Sequence, residues 1–358
     1  MNDYGYQNNS YGDEPDYYNL YTNERVKEAR GVFSRFHLGL FAFNAVTYAA
    51  VILIEIVLSL IFGKGTTGAL LESNIYFEWL ISMAPMYLIG FPVFLLIVRN
   101  MKTLPRNKKK MGAEEFFSLF LISQGVMFIG NTVGTSLNGI IGNILGREIT
   151  NSTSDLIEQT PIWLVFLVVV VVGPIIEELM FRKLMIDRLG RYGDAVAITV
   201  SSIAFGLFHG NFYQFFYAAM LGFVLGYIYT KTGNVKYSVL MHMIINFFGS
   251  VLIMPIIKMM TEIEEASGVM AEGGQVDMLK FIQNAMAVGT YTVVNYALVF
   301  AGIAMLITYV TRKKFKLTGV CEYKIPKERV AGAVILNTGS ILFMVMSFAL
   351  FALSIFAV

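Results

Sequence analysis

Long apolar runs separated by short polar segments dominate the pattern of this chain. A transmembrane helix needs about 20 consecutive, mostly apolar residues. Nine stretches meet or approach this length: 38–62, 76–98, 116–145, 161–180, 195–212, 213–230, 238–257, 286–311 and 332–357. The pattern therefore predicts an all-α polytopic membrane protein, a bundle of about eight to nine transmembrane helices.

The first part of the chain differs from the rest. Residues 1–31 are polar and rich in Tyr, Asn, Asp and Glu, and they contain no basic segment followed by an apolar stretch. This is not the pattern of a cleaved signal peptide, and its composition predicts a disordered tail. Residues 32–358 are predicted to form one transmembrane helical domain, since no linker is long enough to separate two folded domains.

Composition supports the membrane assignment and narrows the possible partners. Of 358 residues, 56% are hydrophobic and 15% are charged, whereas soluble domains are about 45–50% apolar and about 25% charged. The net charge of +2 gives no strong positive field, so we expect the lipid bilayer and no nucleic acid as a partner. A single cysteine, Cys321, excludes an internal disulfide.

Basic residues are concentrated in alternate segments between the predicted spans. They precede the first span and follow the second, fourth, sixth and eighth, whereas the 146–160 and 259–285 segments are acidic. Because Lys and Arg favour the cytoplasmic side of a membrane, we expect a cytoplasmic N-terminus and, after nine spans, an external C-terminus.

Small residues within the predicted spans indicate close helix contacts. Glycines four residues apart let membrane helices approach each other closely. Such pairs are Gly130 and Gly134, Gly206 and Gly210, and Gly222 and Gly226. They predict packing and carry no information about chemistry.

Two adjacent glutamates end the fourth apolar run. Ionisable groups inside a bilayer cost a few kcal/mol or more, so they are candidates for function. Helical residues four apart share a face, and adjacent residues diverge by about 100°. Glu178 is therefore predicted to pair with Arg182, which leaves Glu177 facing elsewhere and available. The alternative is that these are ordinary charges reaching the cytoplasmic surface from a helix end.

Two further pairs of polar or aromatic residues have the same four-residue spacing. Phe205 and His209 form one pair, and His242 and Asn246 form the other. The chain has three histidines, and these two lie within apolar runs. Each histidine alone is more typical of a hydrogen bond between packed helices than of a catalyst. Together with a spare carboxylate they favour a functional site.

The predicted turn at 188–194 suggests how these groups meet. It would place Glu177 and His209 at similar depth in an antiparallel helical hairpin. His242 should lie nearer the cytoplasmic surface, unless that hairpin protrudes from the membrane. We therefore expect the groups to converge in a site that opens toward the cytoplasm.

These residue types permit hydrolysis without a nucleophilic serine or cysteine. A carboxylate and an imidazole can hold and deprotonate water, and a second histidine with an Asn amide can stabilise an oxyanion. The same groups offer an alternative: Glu177, His209 and His242 could hold zinc with one position open. No H-E-x-x-H motif is present, so direct water activation is favoured and no metal cofactor is expected.

The three motifs in this order resemble the CPBP family, the CAAX proteases and bacteriocin-processing enzymes also called Abi proteins. They are E-E-x-x-x-R (177–182), F-x-x-x-H (205–209) and H-x-x-x-N (242–246), and the resemblance spans about residues 160–252. It implies an intramembrane endopeptidase that cleaves a membrane-associated or lipidated peptide. By the same resemblance, Glu177 and His209 would activate water, and His242 and Asn246 would form the oxyanion site. Glu178, Arg182 and Phe205 would have supporting roles.

Other functions fit parts of the sequence. Some relatives are bacteriocin immunity proteins or scaffolds for signalling partners, which would make the protein non-catalytic. A Gly-x-Ser pattern at 134–136 is short and frequent by chance, and it weakly favours a serine protease. Buried Glu and His would also suit a proton-coupled transporter, but the paired repeats common in transporters are not found.

Overall fold

The computed structural model describes residues 17–63, 73–317 and 321–356. We label its helices in chain order, joining helical segments that follow one another directly. They are α1 (Tyr17–Phe62), α2 (Ile75–Val98), α3 (Ala113–Leu145), α4 (Ser152–Gln159), α5 (Ile162–Tyr192), α6 (Asp194–Phe208), α7 (Phe212–Thr232), α8 (Val235–Ala271), α9 (Met278–Thr311), α10 (Lys327–Ile335) and α11 (Thr338–Phe356). No strand is found in these residues.

Within the described ranges, eight helices are long and apolar enough to cross a membrane: α1, α2, α3, α5, α7, α8, α9 and α11. The predicted all-α polytopic membrane protein is thereby confirmed. The remaining predicted span, 195–212, corresponds to α6, which has 15 residues. Such a helix is about 22 Å long, which is shorter than the hydrocarbon core of about 30 Å.

The first helix begins before the boundary that composition suggested. Residues 1–16 of the predicted tail lie outside the described residues, whereas the part from Tyr17 onward is helical and continuous with the first span. Arg25 and Glu28, one turn apart, form an ion pair at 3.2 Å, and Ala29 is fully buried. The helix is therefore fixed by packing in a region whose polar composition resembles that of disordered segments.

The hydrophobic core consists of two clusters that share α7. One cluster joins α7 to α1, α2, α5, α6 and α11, and the other joins it to α3, α8 and α9. The α7 helix therefore contributes buried side chains to both halves of the bundle. The helices that carry the predicted site residues, α5, α6 and α8, all lie around this central helix.

Glycines bring α7 close to its neighbours. A Cβ atom built on Gly130 of α3 would lie 2.5 Å from Tyr217 Cα, and one on Gly222 of α7 would lie 2.9 Å from Ser202 Cα. Gly206 has a similarly short distance to the α7 backbone. Its partner Gly210 is different: it lies in the turn after α6 with φ of +68°, where glycine is favoured because it has no side chain.

Ion pairs and a backbone hydrogen bond attach the segment between α2 and α3 to the C-terminal end of α5. Arg106 contacts Asp194 at 2.7 Å and Asp187 at 3.5 Å, and Asp187 accepts a hydrogen bond of 2.6 Å from the Tyr229 hydroxyl. The backbone N–H of Leu104 also donates to the Asp187 carbonyl. Buried charges are therefore paired with one another at this end of the bundle, and they hold the helix that carries both glutamates.

We predict that Gly130→Ala destabilises the protein, because its methyl group would meet the backbone of α7. Overpacking of this kind costs about 1–3 kcal/mol. Gly139→Ala on the same helix is the matched control: no atom lies within 4 Å of the built Cβ, and alanine favours a helix by about 1 kcal/mol over glycine. The free energy of unfolding in mixed micelles should fall for the first variant only. Equal effects would contradict the proposed contact.

Candidate functional site

Glu178 and Arg182 form an ion pair inside the bundle, as their spacing predicted. The distance from Arg182 Nε to Glu178 Oε2 is 3.2 Å, and both side chains are 0% exposed. These two atoms have a poor angle for hydrogen bonding, so the contact is electrostatic, and Arg182 Nη2 also has no hydrogen-bond partner. The two buried charges therefore depend on neighbouring side chains for further stabilisation.

The α6 helix supplies the neighbours of Arg182. The guanidinium lies over the Phe205 ring, 4.7 Å from its centre, an arrangement that favours a cation. Arg182 Nη1 also donates to the Ser201 hydroxyl at 3.5 Å, and this hydroxyl donates to the Phe181 carbonyl. Phe205 thus has an identifiable contact with the ion pair.

His242 of α8 joins the two glutamates. Its Nδ1 donates to Glu178 Oε1 at 3.2 Å, and its Nε2 lies 3.8 Å from Glu177 Oε2. The histidine is 3% exposed. One imidazole therefore completes the environment of the buried ion pair and also faces the second carboxylate. The sequence did not determine the depth of His242 in the membrane. In the structure, its ring faces both glutamates.

Glu177 faces away from the ion pair and remains accessible. Its side chain is 25% exposed, in contrast to that of Glu178. It interacts electrostatically with His209, Tyr87 and Tyr217 as well as with His242. The two adjacent carboxylates thus have different environments, and Glu177 is the one that faces His242 Nε2 and interacts electrostatically with His209.

His209 lies at the end of α6 with one ring nitrogen engaged. Its Nδ1 lies 2.8 Å from the Phe205 carbonyl oxygen. Because a carbonyl can only accept, Nδ1 carries the hydrogen, and Nε2 of the neutral ring is left as an acceptor. The ring stands edge-to-face to Phe205 at 4.9 Å. This geometry suits a histidine that accepts a hydrogen bond from water near Glu177.

Asn246 has a contact that the sequence did not indicate. Its Nδ2 donates to the Val169 carbonyl at 2.9 Å. Val169 lies in the π-helical segment Phe166–Val172 of α5, where wider turns alter the usual backbone pairing. The amide has two N–H hydrogens, so one is used in holding α5 against α8. The predicted oxyanion role of Asn246 stays a prediction.

The zinc alternative has no preformed ligand set in the described part of the chain. No group of three or more His, Cys, Asp or Glu side chains there is arranged to hold a metal ion. This includes Glu177, His209 and His242, which were the candidate ligands. His242 instead has both ring nitrogens directed at carboxylates.

Sequence reasoning missed Tyr87, Tyr217 and Ser201. None of them belongs to one of the three motifs, so the motif spacing did not mark them. Tyr87 lies in α2, outside the segment that the three motifs cover, within the π-helical segment Met86–Gly90. Only the packing of α2 against the other helices brings it near Glu177.

Comparison with known proteins supports the resemblance. The family model of the Rce1-like type II CAAX prenyl endopeptidases matches residues 159–248. Bacillus subtilis "Putative membrane peptidase YdiL" is 28% identical over 165 residues, which are 44% of this chain and 64% of that protein. "UPF0177 protein YxdF" of Lactococcus lactis is 30% identical over 105 residues, 28% of this chain and 58% of that protein.

The two matches thus cover less than two thirds of either relative's length. No solved structure matches the chain. The family match contains all three motifs, from Glu177 to Asn246. The resemblance of this segment to the CPBP family is therefore confirmed.

We predict that Arg182→Met strongly destabilises the protein, because it leaves the Glu178 carboxylate buried without its cation. Breaking a buried ion pair on one side costs about 3–5 kcal/mol. Lys183→Met is the control, since Lys183 pairs with Asp187 but is 49% exposed, and such pairs contribute about 0–1 kcal/mol. Unfolding in mixed micelles measures both. Losses of unfolding free energy of similar size in the two variants would contradict the prediction. So would a double Glu178→Met/Arg182→Met variant that is no more stable than Arg182→Met.

Proposed function

We propose that this relative of the CPBP proteases is an intramembrane endopeptidase that hydrolyses a peptide bond of a membrane-associated or lipidated peptide. One observation carries the proposal: Glu178 is neutralised by Arg182, whereas Glu177 is partly exposed, lies 3.8 Å from His242 Nε2 and interacts electrostatically with His209. A carboxylate in this setting is suited to take a proton from water. The family match and the name of the Bacillus relative support the same class of reaction.

In the proposed reaction, a water molecule lies between Glu177 and His209. Glu177 accepts one proton of the water, and His209 Nε2 accepts a hydrogen bond from the other. The water oxygen forms a bond to the peptide carbonyl carbon, whose C=O electrons move to the oxygen. The C=O bond then re-forms as the C–N bond breaks, and the proton held by Glu177 passes to the leaving nitrogen. No covalent enzyme intermediate is formed.

His242 and Asn246 are proposed to support this step. His242 holds Glu178 through Nδ1, and its Nε2 faces Glu177, where it can donate to the oxyanion when both ring nitrogens are protonated. Asn246 fixes the backbone before Glu177 through its bond to Val169, and its second N–H is available to the substrate. These roles follow the family resemblance and are compatible with the contacts.

The orientation of the protein is also a proposal. The basic residues at alternate helix ends favour a cytoplasmic N-terminus. Arg106, Lys183, Arg188 and Arg191 lie at the same end of the bundle as the α5–α6 turn. The site would then open toward the cytoplasm, where it could receive a lipid-anchored peptide from the inner leaflet.

We predict that Glu177→Gln and His209→Ala each abolish most hydrolysis by the purified protein. General acid–base groups contribute about 10²–10⁴-fold, so losses of that size are expected. The substrates are fluorogenic peptides with and without a prenyl group, presented in liposomes. Glu55→Gln is the control, because Glu55 is an exposed carboxylate on α1. Cellular function that survives both site variants would instead favour a non-catalytic immunity or signalling role.

We predict further that activity survives removal of metal ions. After dialysis against a strong chelator, kcat should change by less than about twofold, since direct water activation needs no Lewis acid. The chelated protein should also bind no zinc stoichiometrically when titrated by calorimetry. Loss of activity that zinc alone restores would overturn the metal-free mechanism and favour ligation by Glu177, His209 and His242.

A further inference from the structure

The Tyr87 hydroxyl of α2 and the Glu177 carboxylate approach the same point beside Gly173, and Tyr87 lies outside the segment that the three motifs define. We propose that Tyr87 is a further catalytic residue, whose hydroxyl donates a hydrogen bond to the oxyanion formed when water adds to the peptide carbonyl. This inference rests on the proposed endopeptidase function. It concerns a helix that the family match, residues 159–248, does not include.

The space at Gly173 shows how close the two groups are. A carbon atom built at its Cβ position would lie 3.8 Å from the Tyr87 hydroxyl oxygen and 3.9 Å from Glu177 Oε1. One atom at this point would therefore be in van der Waals contact with both groups. Because Gly173 has no side chain, the point stays free, and a small polar group can lie between the phenol and the carboxylate.

The hydroxyl of Tyr87 is an unused donor. Among the described residues it has no hydrogen-bond partner, although buried tyrosine hydroxyls usually find one. Tyr213 donates to the Ile149 carbonyl at 2.7 Å, and Tyr229 donates to Asp187 at 2.6 Å. Tyr87 is only partly buried, so its hydroxyl is accessible to a ligand at the site.

Several N–H donors at the site are already engaged. Nδ1 of His209 is bonded to the Phe205 carbonyl, Nδ1 of His242 to Glu178, and Nδ2 of Asn246 to the Val169 carbonyl. Hydrolysis of an amide requires donors aimed at the oxygen on which negative charge develops. The Tyr87 hydroxyl adds a donor to the second N–H of Asn246, and it does so without breaking an existing contact.

The backbone of α2 explains how the ring is directed inward. Pro85 is followed by the π-helical segment Met86–Gly90, in which the extra residue per turn shifts the direction of the side chains. This segment packs closely on α1, since a Cβ atom on Gly90 would clash with Thr47 Oγ1. Tight packing of this segment on α1 therefore restrains the position of Tyr87.

Tyr87→Phe tests the inference, because it removes the hydroxyl and keeps the ring. Loss of one oxyanion donor lowers kcat by about 10²–10³-fold, and KM should change by less than about twofold because the contact forms only in the transition state. Tyr213→Phe is the matched control, since that hydroxyl contacts a backbone carbonyl, and it should keep its kcat within about twofold. The assay uses the liposome peptides described above.

A second measurement separates this role from a structural one. A phosphinate analogue of the cleaved peptide carries an anionic oxygen like that of the tetrahedral intermediate. Tyr87→Phe should weaken binding of this analogue by the same factor as it lowers kcat/KM. In the Glu177→Gln background, the same substitution should leave binding of the parent amide peptide unchanged. An active wild type with unaltered Tyr87→Phe kinetics overturns the inference alone. A wild type that cleaves no peptide overturns the proposed function and the inference with it.

Discussion

The buried ion pair between Glu178 and Arg182 is the interaction on which the arrangement of the site depends. Both side chains are completely removed from solvent, and an uncompensated charge in such a place costs several kcal/mol. The four-residue spacing within α5 makes Glu178 and Arg182 partners of each other. The remaining contacts must come from other helices: Phe205 and Ser201 of α6 approach the guanidinium, and His242 of α8 approaches the carboxylate. The charges of α5 therefore fix the positions of α6 and α8.

This constraint also separates two chemically identical side chains. Because Glu178 is held by Arg182 and His242, the adjacent Glu177 lies on another face of α5, with part of its surface exposed. His242 belongs to both groups, since one ring nitrogen contacts the ion pair and the other faces Glu177. The same contacts that stabilise the bundle thus place an imidazole beside the free carboxylate.

Contacts within one helix could be predicted from the sequence, whereas contacts between helices could not. The four-residue spacing of Glu178 and Arg182 correctly predicted their pairing, because helical geometry alone determines it. The same spacing gave no sign that Asn246 bonds to Val169 or that His242 meets both glutamates. These contacts depend on helix register, which π-helical segments alter by one residue. Local composition likewise did not predict that α1 extends to the N-terminal side of residue 32, where Ala29 is buried.

Backbone irregularity is concentrated around Glu177. A regular α-helix satisfies its own polar backbone in lipid, and α3, α7 and α9 are regular throughout. In the described residues, the π-helical segments lie in α2, α5 and α8, the helices that carry Tyr87, both glutamates and His242. In α5, the Val169 carbonyl of one such segment accepts a hydrogen bond from the Asn246 amide. Gly173 directly follows one such segment and leaves a gap beside the carboxylate. Polar groups and space for water thus coincide where α2, α5 and α8 depart from regularity, whereas His209 and Tyr217 lie on the regular helices α6 and α7.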